Sequence, residues 1–141
     1  FKKKFSVLID LPVTAPIRKI EDLENAYNLF KKKKPKNLVT VVPAARNPYF
    51  NMLEEVEDGK VVYSKSRKNF TRRQDAPQVY DMNNSIYIYD TNYLRDGSLK
   101  DKLSDHTIAY LMDPLTSIDI DTELDFKILE LLVKERIVKL L

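Results

Sequence analysis

The chain contains no cysteine, which excludes a disulfide framework, a thiolate zinc site and a cysteine nucleophile, and which fits a reducing, cytoplasmic setting. Glycine is almost as scarce. The two that occur, Gly59 and Gly97, each follow an aspartate in a turn-like Asp-Gly pair, so there is no glycine-rich cradle for phosphate. The single histidine, His106, stands beside Asp105 with no serine nucleophile constellation, and reads as a surface residue rather than a catalytic one. No apolar run approaches the roughly 18 residues of a membrane span, and no signal-peptide pattern opens the sequence. A net charge of +3, from 24 basic and 21 acidic residues, is too small to indicate a nucleic-acid partner. The lysine run Lys31 to Lys34 lacks an aromatic platform and reads as a solvated helix end. These absences predict a soluble chain with neither nucleic acid nor membrane as partner.

What is present suits one globular domain: 141 residues, 43% hydrophobic and 32% charged. Phe5 to Leu11 is nearly all apolar and reads as a parallel strand buried on both faces, which needs neighbours. Because the sequence opens at Phe1 almost within that strand, further sequence upstream is expected to belong to the fold. After a turn from Pro12 to Pro16, the next segment carries Glu21, Asp22 and Glu24 early and lysines late, with Ile20, Leu23, Tyr27 and Phe30 on one face and Pro35 beyond its end. This order complements a helix dipole and predicts a helix. Leu38 to Val42 is a second apolar strand, so strand, helix and strand predict a right-handed βαβ unit.

The middle differs in character. Met52 to Val56 and Lys60 to Tyr63 flank Asp58-Gly59, a hairpin signal, and Lys65 to Arg73 is basic and poor in aliphatic residues. This stretch reads as an excursion from the main sheet. Ser85 to Tyr89 and Ile108 to Met112 return to strand patterns, with a short helical turn at Thr91 to Leu94. A last helix is expected from about Glu123, capped by Thr122 or Asp121, with apolar positions at Leu124, Ile128, Leu131 and Leu132.

Three constellations carry chemistry. In Ser117-Ile118-Asp119-Ile120-Asp121-Thr122-Glu123-Leu124-Asp125, an extended backbone puts Asp119 and Asp121 on one side, where they can share a magnesium ion, while Ile118 and Ile120 face the core. Magnesium held by one or two carboxylates keeps positions open for phosphate oxygens, which points to a nucleotide substrate. A capped helix start explains the same residues, and Asp121 can serve both ends. The second constellation runs from Arg72-Arg73-Gln74-Asp75-Ala76-Pro77 to Asn83-Asn84-Ser85. It offers donors for a carboxylated, polyhydroxylated ligand, and reads equally as a solvated, turn-rich connection. The third, Val13-Thr14-Ala15-Pro16-Ile17-Arg18, follows the first strand, where ligands of open α/β sheets collect; Thr14 and Arg18 either meet ligand or form a plain strand-to-helix turn.

In that order and at that spacing, the Thr14–Arg18 turn, the Arg-Arg-Gln-Asp-Ala-Pro block, Asn83-Asn84-Ser85-Ile86-Tyr87-Ile88 and the final Asp119/Asp121 motif resemble the acylneuraminate cytidylyltransferases, or CMP-sialic acid synthetases. The resemblance covers nearly all 141 residues. It implies an α/β, Rossmann-like three-layer nucleotidyltransferase sheet, incomplete at its N-terminus, with a projecting β-hairpin dimerisation arm at about residues 47–80. The implied reaction is transfer of CMP from CTP to a nine-carbon 2-keto sugar acid, a nonulosonic acid, with release of pyrophosphate. By the same resemblance Asp119 and Asp121 are catalytic ligands of Mg2+, Arg73, Gln74, Asn83 and Tyr87 line the sugar pocket, and Leu103 adds an apolar wall. The implied assembly is a homodimer in which arm residues act across the interface.

Two departures fall near the sugar: Asp81 stands where familiar members carry arginine, and Pro12 replaces a glutamine of the first turn. They leave the acid open between sialic acid and a legionaminic-type relative. The N-terminal nucleotide-binding loop of the family has no counterpart here, so the chain alone is expected to be inactive. Two other readings stand beside this one: a non-catalytic dimerisation or regulatory module derived from such an enzyme, and a related transferase acting on the eight-carbon acid of lipopolysaccharide.

Overall fold

The computed structural model describes residues 4–67, 70–95, 97 and 103–140. They form two compact units, one of Phe1–Val42 with Met82–Leu141 and one of Pro43–Asp81.

The first unit is built on a sheet in the order β1 (Val7–Asp10), β5 (Tyr80–Asp90), β2 (Asn37–Pro43), β6 (Thr107–Leu111). Strand β2 is buried from Asn37 to Val42 and β5 from Ser85 to Tyr89, as expected of central strands covered on both faces. Alternation along β2 divides the core in two. Leu38 and Val42 join Ile86, Ile88 and Met112 beneath Ala26 and Phe30 of helix α1 (Ile20–Lys33), while Val39 and Val41 meet Tyr87 and Tyr89 on the opposite face. Strands β2 and β6 run parallel, from Asn37 opposite Thr107 to Val41 opposite Leu111.

The first strand departs from expectation. It is neither parallel to its neighbour nor buried on both faces: β1 runs antiparallel to β5, with Val7 opposite Asp90, and leaves Leu8 45% and Ile9 39% exposed. It has one strand neighbour among the described residues, so only one flank is covered. Nor are β1 and β2 neighbours in the sheet. Strand β5, whose longer apolar run can be buried on both faces, lies between them.

Helix α1 begins and ends where its charges suggested. The Asp22 carboxylate accepts from the backbone N–H of Lys19 (3.3 Å), and Lys34, at φ 50°, closes the helix by donating its N–H to the Phe30 carbonyl (2.9 Å). Helix α3 (Glu123–Lys134) starts on a capping box. The Thr122 hydroxyl accepts from Asp125 N–H (3.3 Å), and the Asp125 carboxylate accepts from the Thr122 hydroxyl (2.7 Å) and N–H (2.8 Å). Its buried stripe passes through Leu129, with Leu132 half-buried, while the apolar positions Leu124, Ile128 and Leu131 lie exposed. The short helix α2 (Thr91–Arg95) follows β5 directly.

The second unit holds a two-stranded ribbon, β3 (Leu53–Glu55) and β4 (Val61–Tyr63), with Leu53 opposite Tyr63. Asp58 (φ 59°) and Gly59 (φ 71°) supply the two left-handed residues of its tight turn. Residues 51–63 are exposed throughout. At its base Tyr49 meets Phe70 edge to face (4.9 Å between centroids), and the Arg67 guanidinium lies over Phe50 (5.2 Å) and Tyr63 (4.4 Å).

Candidate active site

Three segments of the first unit converge. The loop after β6 opens with Asp113, whose carboxylate accepts from Leu115 N–H (2.9 Å), and makes a 3₁₀ turn over Pro114–Ser117 before reaching Asp119. The Ile120 N–H donates to the Thr14 carbonyl (2.8 Å), which ties the carboxylate loop to the turn that follows β1. Strand β5 supplies the third segment. The buried Asn83 amide donates to the Thr116 hydroxyl (2.8 Å) and approaches the Met112 sulfur (3.4 Å), and the Thr116 hydroxyl donates to the Asp113 carbonyl (2.6 Å).

Asn84 takes a left-handed conformation, φ 50°, within β5. Its amide donates to Asp119 Oδ2 (3.2 Å) and accepts from the Tyr87 hydroxyl. The other Asp119 oxygen, Oδ1, is buried without a hydrogen-bond partner, as are Asn83 Oδ1 and Ser85 Oγ. Below this kink the buried Thr40 hydroxyl accepts the Ile86 N–H (2.9 Å) and donates to the Ile86 carbonyl (3.3 Å), satisfying the backbone where the strand recovers its pairing.

These donors suit a hard cation. A buried carboxylate oxygen with no partner is costly unless a cation or a donor meets it, and Asp121, two residues on, offers a second, exposed carboxylate. Residues 118–121 belong to no strand, although Ile118 and Thr122 are both extended; Asp119 is half-buried and Asp121 exposed. No group of three metal-ligating side chains occurs among the described residues. A cation here would complete its shell with water or phosphate oxygens, the habit of magnesium.

Arg18 has a role that the sequence did not disclose. It is buried, donating from Nε to the Ala15 carbonyl (3.2 Å) and from Nη2 to the Pro12 and Ala15 carbonyls, so it braces the turn carrying the exposed Thr14. Burial pushes its pKa down, partly offset by the negative charge of Asp10. Tyr87 is likewise buried, its ring stacked near Tyr89 (6.3 Å). Leu103 is 53% exposed.

Arg73 and Gln74 belong to the second unit. There, in a 3₁₀ turn over Arg73–Asp75, they line an open pocket of about 390 Å³ with Ala44, Asn47 and Gln78. Arg73 Nη2 donates to the Ala45 carbonyl (3.3 Å), and Asp81, the departure noted above, accepts from Ala45 N–H (3.3 Å). The site residues that sequence reasoning passed over are Asn84 and Thr116. A signal existed for the first: Asn is the side chain best suited to a left-handed kink, and Asn84 lies in the polar run Asn83-Asn84-Ser85 just ahead of the apolar Ile86–Tyr89.

Comparison with known proteins accords with this arrangement. The chain is 50% identical over 137 residues to the post-translational flagellin modification protein B of Campylobacter coli, covering 96% of the chain and 56% of that protein. It is 48% identical over 133 residues to the CMP-N,N'-diacetyllegionaminic acid synthase of Campylobacter jejuni, covering 94% of the chain and 55% of the synthase. The chain belongs to the CMP-sialic acid synthetase-like family. It spans about half the length of the curated relatives it matches. No protein-family profile matches it. Among solved structures, the 4-diphosphocytidyl-2C-methyl-D-erythritol synthase of Anaerococcus prevotii superposes with a TM-score of 0.59 over 92% of the chain and 59% of that enzyme. At 14% identity this likeness shows the fold alone, a nucleotidyltransferase fold that a CMP-sialic acid synthetase-like sequence would be expected to adopt.

Proposed function

We propose that this chain forms the metal-carboxylate and sugar-acid half of a cytidylyltransferase that transfers CMP from CTP to a nonulosonic acid, releasing pyrophosphate. The observation that carries the reading is Asp119, one oxygen held by Asn84 and the other buried and unpartnered, in a loop hydrogen-bonded to the Thr14 turn. Asp119 and Asp121 would hold Mg2+. When bound, the ion neutralises charge on the phosphates and lowers the pKa of an oxygen that must lose its proton. The side chains do the rest. Asn83 and Tyr87 on β5 are buried behind the carboxylates, the Asn83 amide on Thr116 and the Tyr87 hydroxyl on Asn84, and would support the sugar pocket from beneath rather than touch the acid. Thr14 contributes an exposed hydroxyl in the turn after β1, and Leu103 walls the acyl group. Arg73 and Gln74, carried by the second unit, would bring charge-assisted and neutral donors to the sugar carboxylate in the partner subunit's site.

The acid favoured is of the legionaminic type. A relative at 48% identity is named for that product, and Asp81, spent on the Ala45 N–H, is not the basic group that the sialic acid enzymes place at this position. The exposed β3–β4 ribbon serves as a homodimerisation arm, since a two-stranded ribbon uncovered on both faces needs a partner surface. The location we propose is the cytoplasm, where CTP and Mg2+ are both available. The sequence holds no glycine-rich phosphate motif, and on this reading the isolated chain would not turn over CTP.

The test is CMP-sugar formation, read by mass spectrometry, in the polypeptide that carries this segment. CTP and Mg2+ are supplied with N,N'-diacetyllegionaminic acid, N-acetylneuraminic acid or the eight-carbon acid of lipopolysaccharide. Product with a nine-carbon acid, lost in Asp119→Asn and Asp121→Asn, is expected. No product with any acid, product with the eight-carbon acid alone, or wild-type rates in both variants would overturn the reading.

A further inference from the structure

We infer that Asn84 is a positioning residue that orients the Asp119 carboxylate for its cation, acting as a donor-acceptor adapter between that carboxylate and the Tyr87 hydroxyl. The inference rests on the metal reading of Asp119 given above.

The chemistry of the three groups assigns the direction of each bond. An ionised carboxylate can only accept, so the Asn84 group facing Asp119 Oδ2 at 3.2 Å must be the amide NH2. The amide oxygen is then turned away and accepts from the Tyr87 hydroxyl. Of the short side chains tolerated at φ 50°, glycine makes neither bond and aspartate would oppose one carboxylate with another. Of these three, asparagine is the one that meets the backbone requirement and supplies both a donor and an acceptor.

The adapter is rigid at its far end. Tyr87 is only 3% exposed and packs with Val39, Val41 and Tyr89, so its hydroxyl is a fixed point from which the amide, and through it the carboxylate, takes its orientation. The result is a division of labour within Asp119. Oδ2 is occupied by Asn84, and Oδ1 remains buried and unpartnered. Partners of this kind, one bond removed from the metal, fix ligand orientation, and their loss typically costs about 10- to 100-fold in metal affinity.

The experiment uses the polypeptide that carries this segment, labelled with 15N and titrated with Mn2+, whose paramagnetism broadens nearby amide signals even when binding is weak. Broadening is followed at Ile120 and Asp121, with thermal melting as a second readout. The unmodified chain is expected to show saturable broadening, and Asp119→Asn to lose it. Asn84→Gly, which keeps the left-handed backbone available, is expected to need about tenfold more Mn2+ while melting within a few degrees of the parent. Tyr87→Phe, which frees the amide without touching the kink, is expected to shift the titration in the same direction, and it decides the matter if the glycine variant fails to fold. If Asp119→Asn abolishes broadening but the folded Asn84 and Tyr87 variants titrate like the parent, the adapter is refuted and the metal reading stands. If the parent shows no saturable broadening, or Asp119→Asn leaves it unchanged, the metal reading falls and the adapter with it.

Discussion

The two units solve the problem of stability by different means. In the first, β2 and β5 are buried almost end to end and the core closes on both faces of the sheet. In the second, residues 51–63 are exposed without exception, and the ribbon stands on turns, an edge-to-face aromatic pair and a guanidinium over two rings. Aliphatic burial scales with area and stabilises a domain by itself, whereas cation–π and turn contacts contribute about 1 kcal/mol each. The contrast teaches that apolar content alone does not indicate a core. Leu53, Val56, Val61 and Val62 are as apolar as the residues of β2, yet each stays more than 40% exposed.

The sharpest break in that comparison is a pair of truncations. Ile86→Ala, at a site with no exposure, is expected to cost about 3 kcal/mol through lost burial and an unfilled cavity, whereas Val62→Ala, 48% exposed on the ribbon, should cost under about 0.5 kcal/mol. Urea unfolding of both variants measures the difference, and equal losses would mean that the ribbon is covered in solution. The next largest effect concerns what covers it. If the ribbon is the homodimerisation arm proposed above, Leu53→Glu combined with Val61→Glu should raise the dimer dissociation constant at least about tenfold, because desolvated charge on an interface face is strongly disfavoured. Sedimentation equilibrium reads this directly. An unchanged constant would remove the arm as the interface.

How far the sequence reveals this molecule depends on whether a signal is local. The charge order of α1, the Thr122–Asp125 cap and the Asp58-Gly59 turn are contained within a few residues, and each appears in the structure where it was expected. Burial of β1 and the inward face of α3 are properties of neighbours, so the apolar run Val7–Ile9 and the positions Leu124, Ile128 and Leu131 signalled hydrophobicity without saying what would cover it. The site divides in the same way. Asp119 and Asn83 stand out as residue types in a pattern, but the left-handed kink at Asn84 is set by the fold around it, and Ser85 through Tyr89 are all buried because β5 is covered on both faces. Arg18 could not be placed for a simpler reason. A long cation after a turn reaches solvent or its own backbone carbonyls with equal ease, and here it chose the carbonyls.

The smallest expected effect tests the local end of this argument. Hydrogen bonds from the Thr122 hydroxyl, the Thr122 N–H and the Asp121 N–H hold the Asp125 carboxyl below its ordinary value of 3.8. Since the folded state binds that proton less readily than the unfolded chain, the cap's contribution is fully present above the unfolded value and is lost as pH falls through the lower folded one. Asp125 is solvent-screened, so the change is slight, confined to acid and weakened by salt. Asp125→Asn keeps a hydrogen-bonding side chain of the same size but removes the titration. Urea midpoints compared between pH 5 and pH 2.5 should therefore fall slightly further for the parent than for the variant. An identical fall in both would show that the acid sensitivity of the first unit lies elsewhere and that the cap is held by its neutral hydrogen bonds alone.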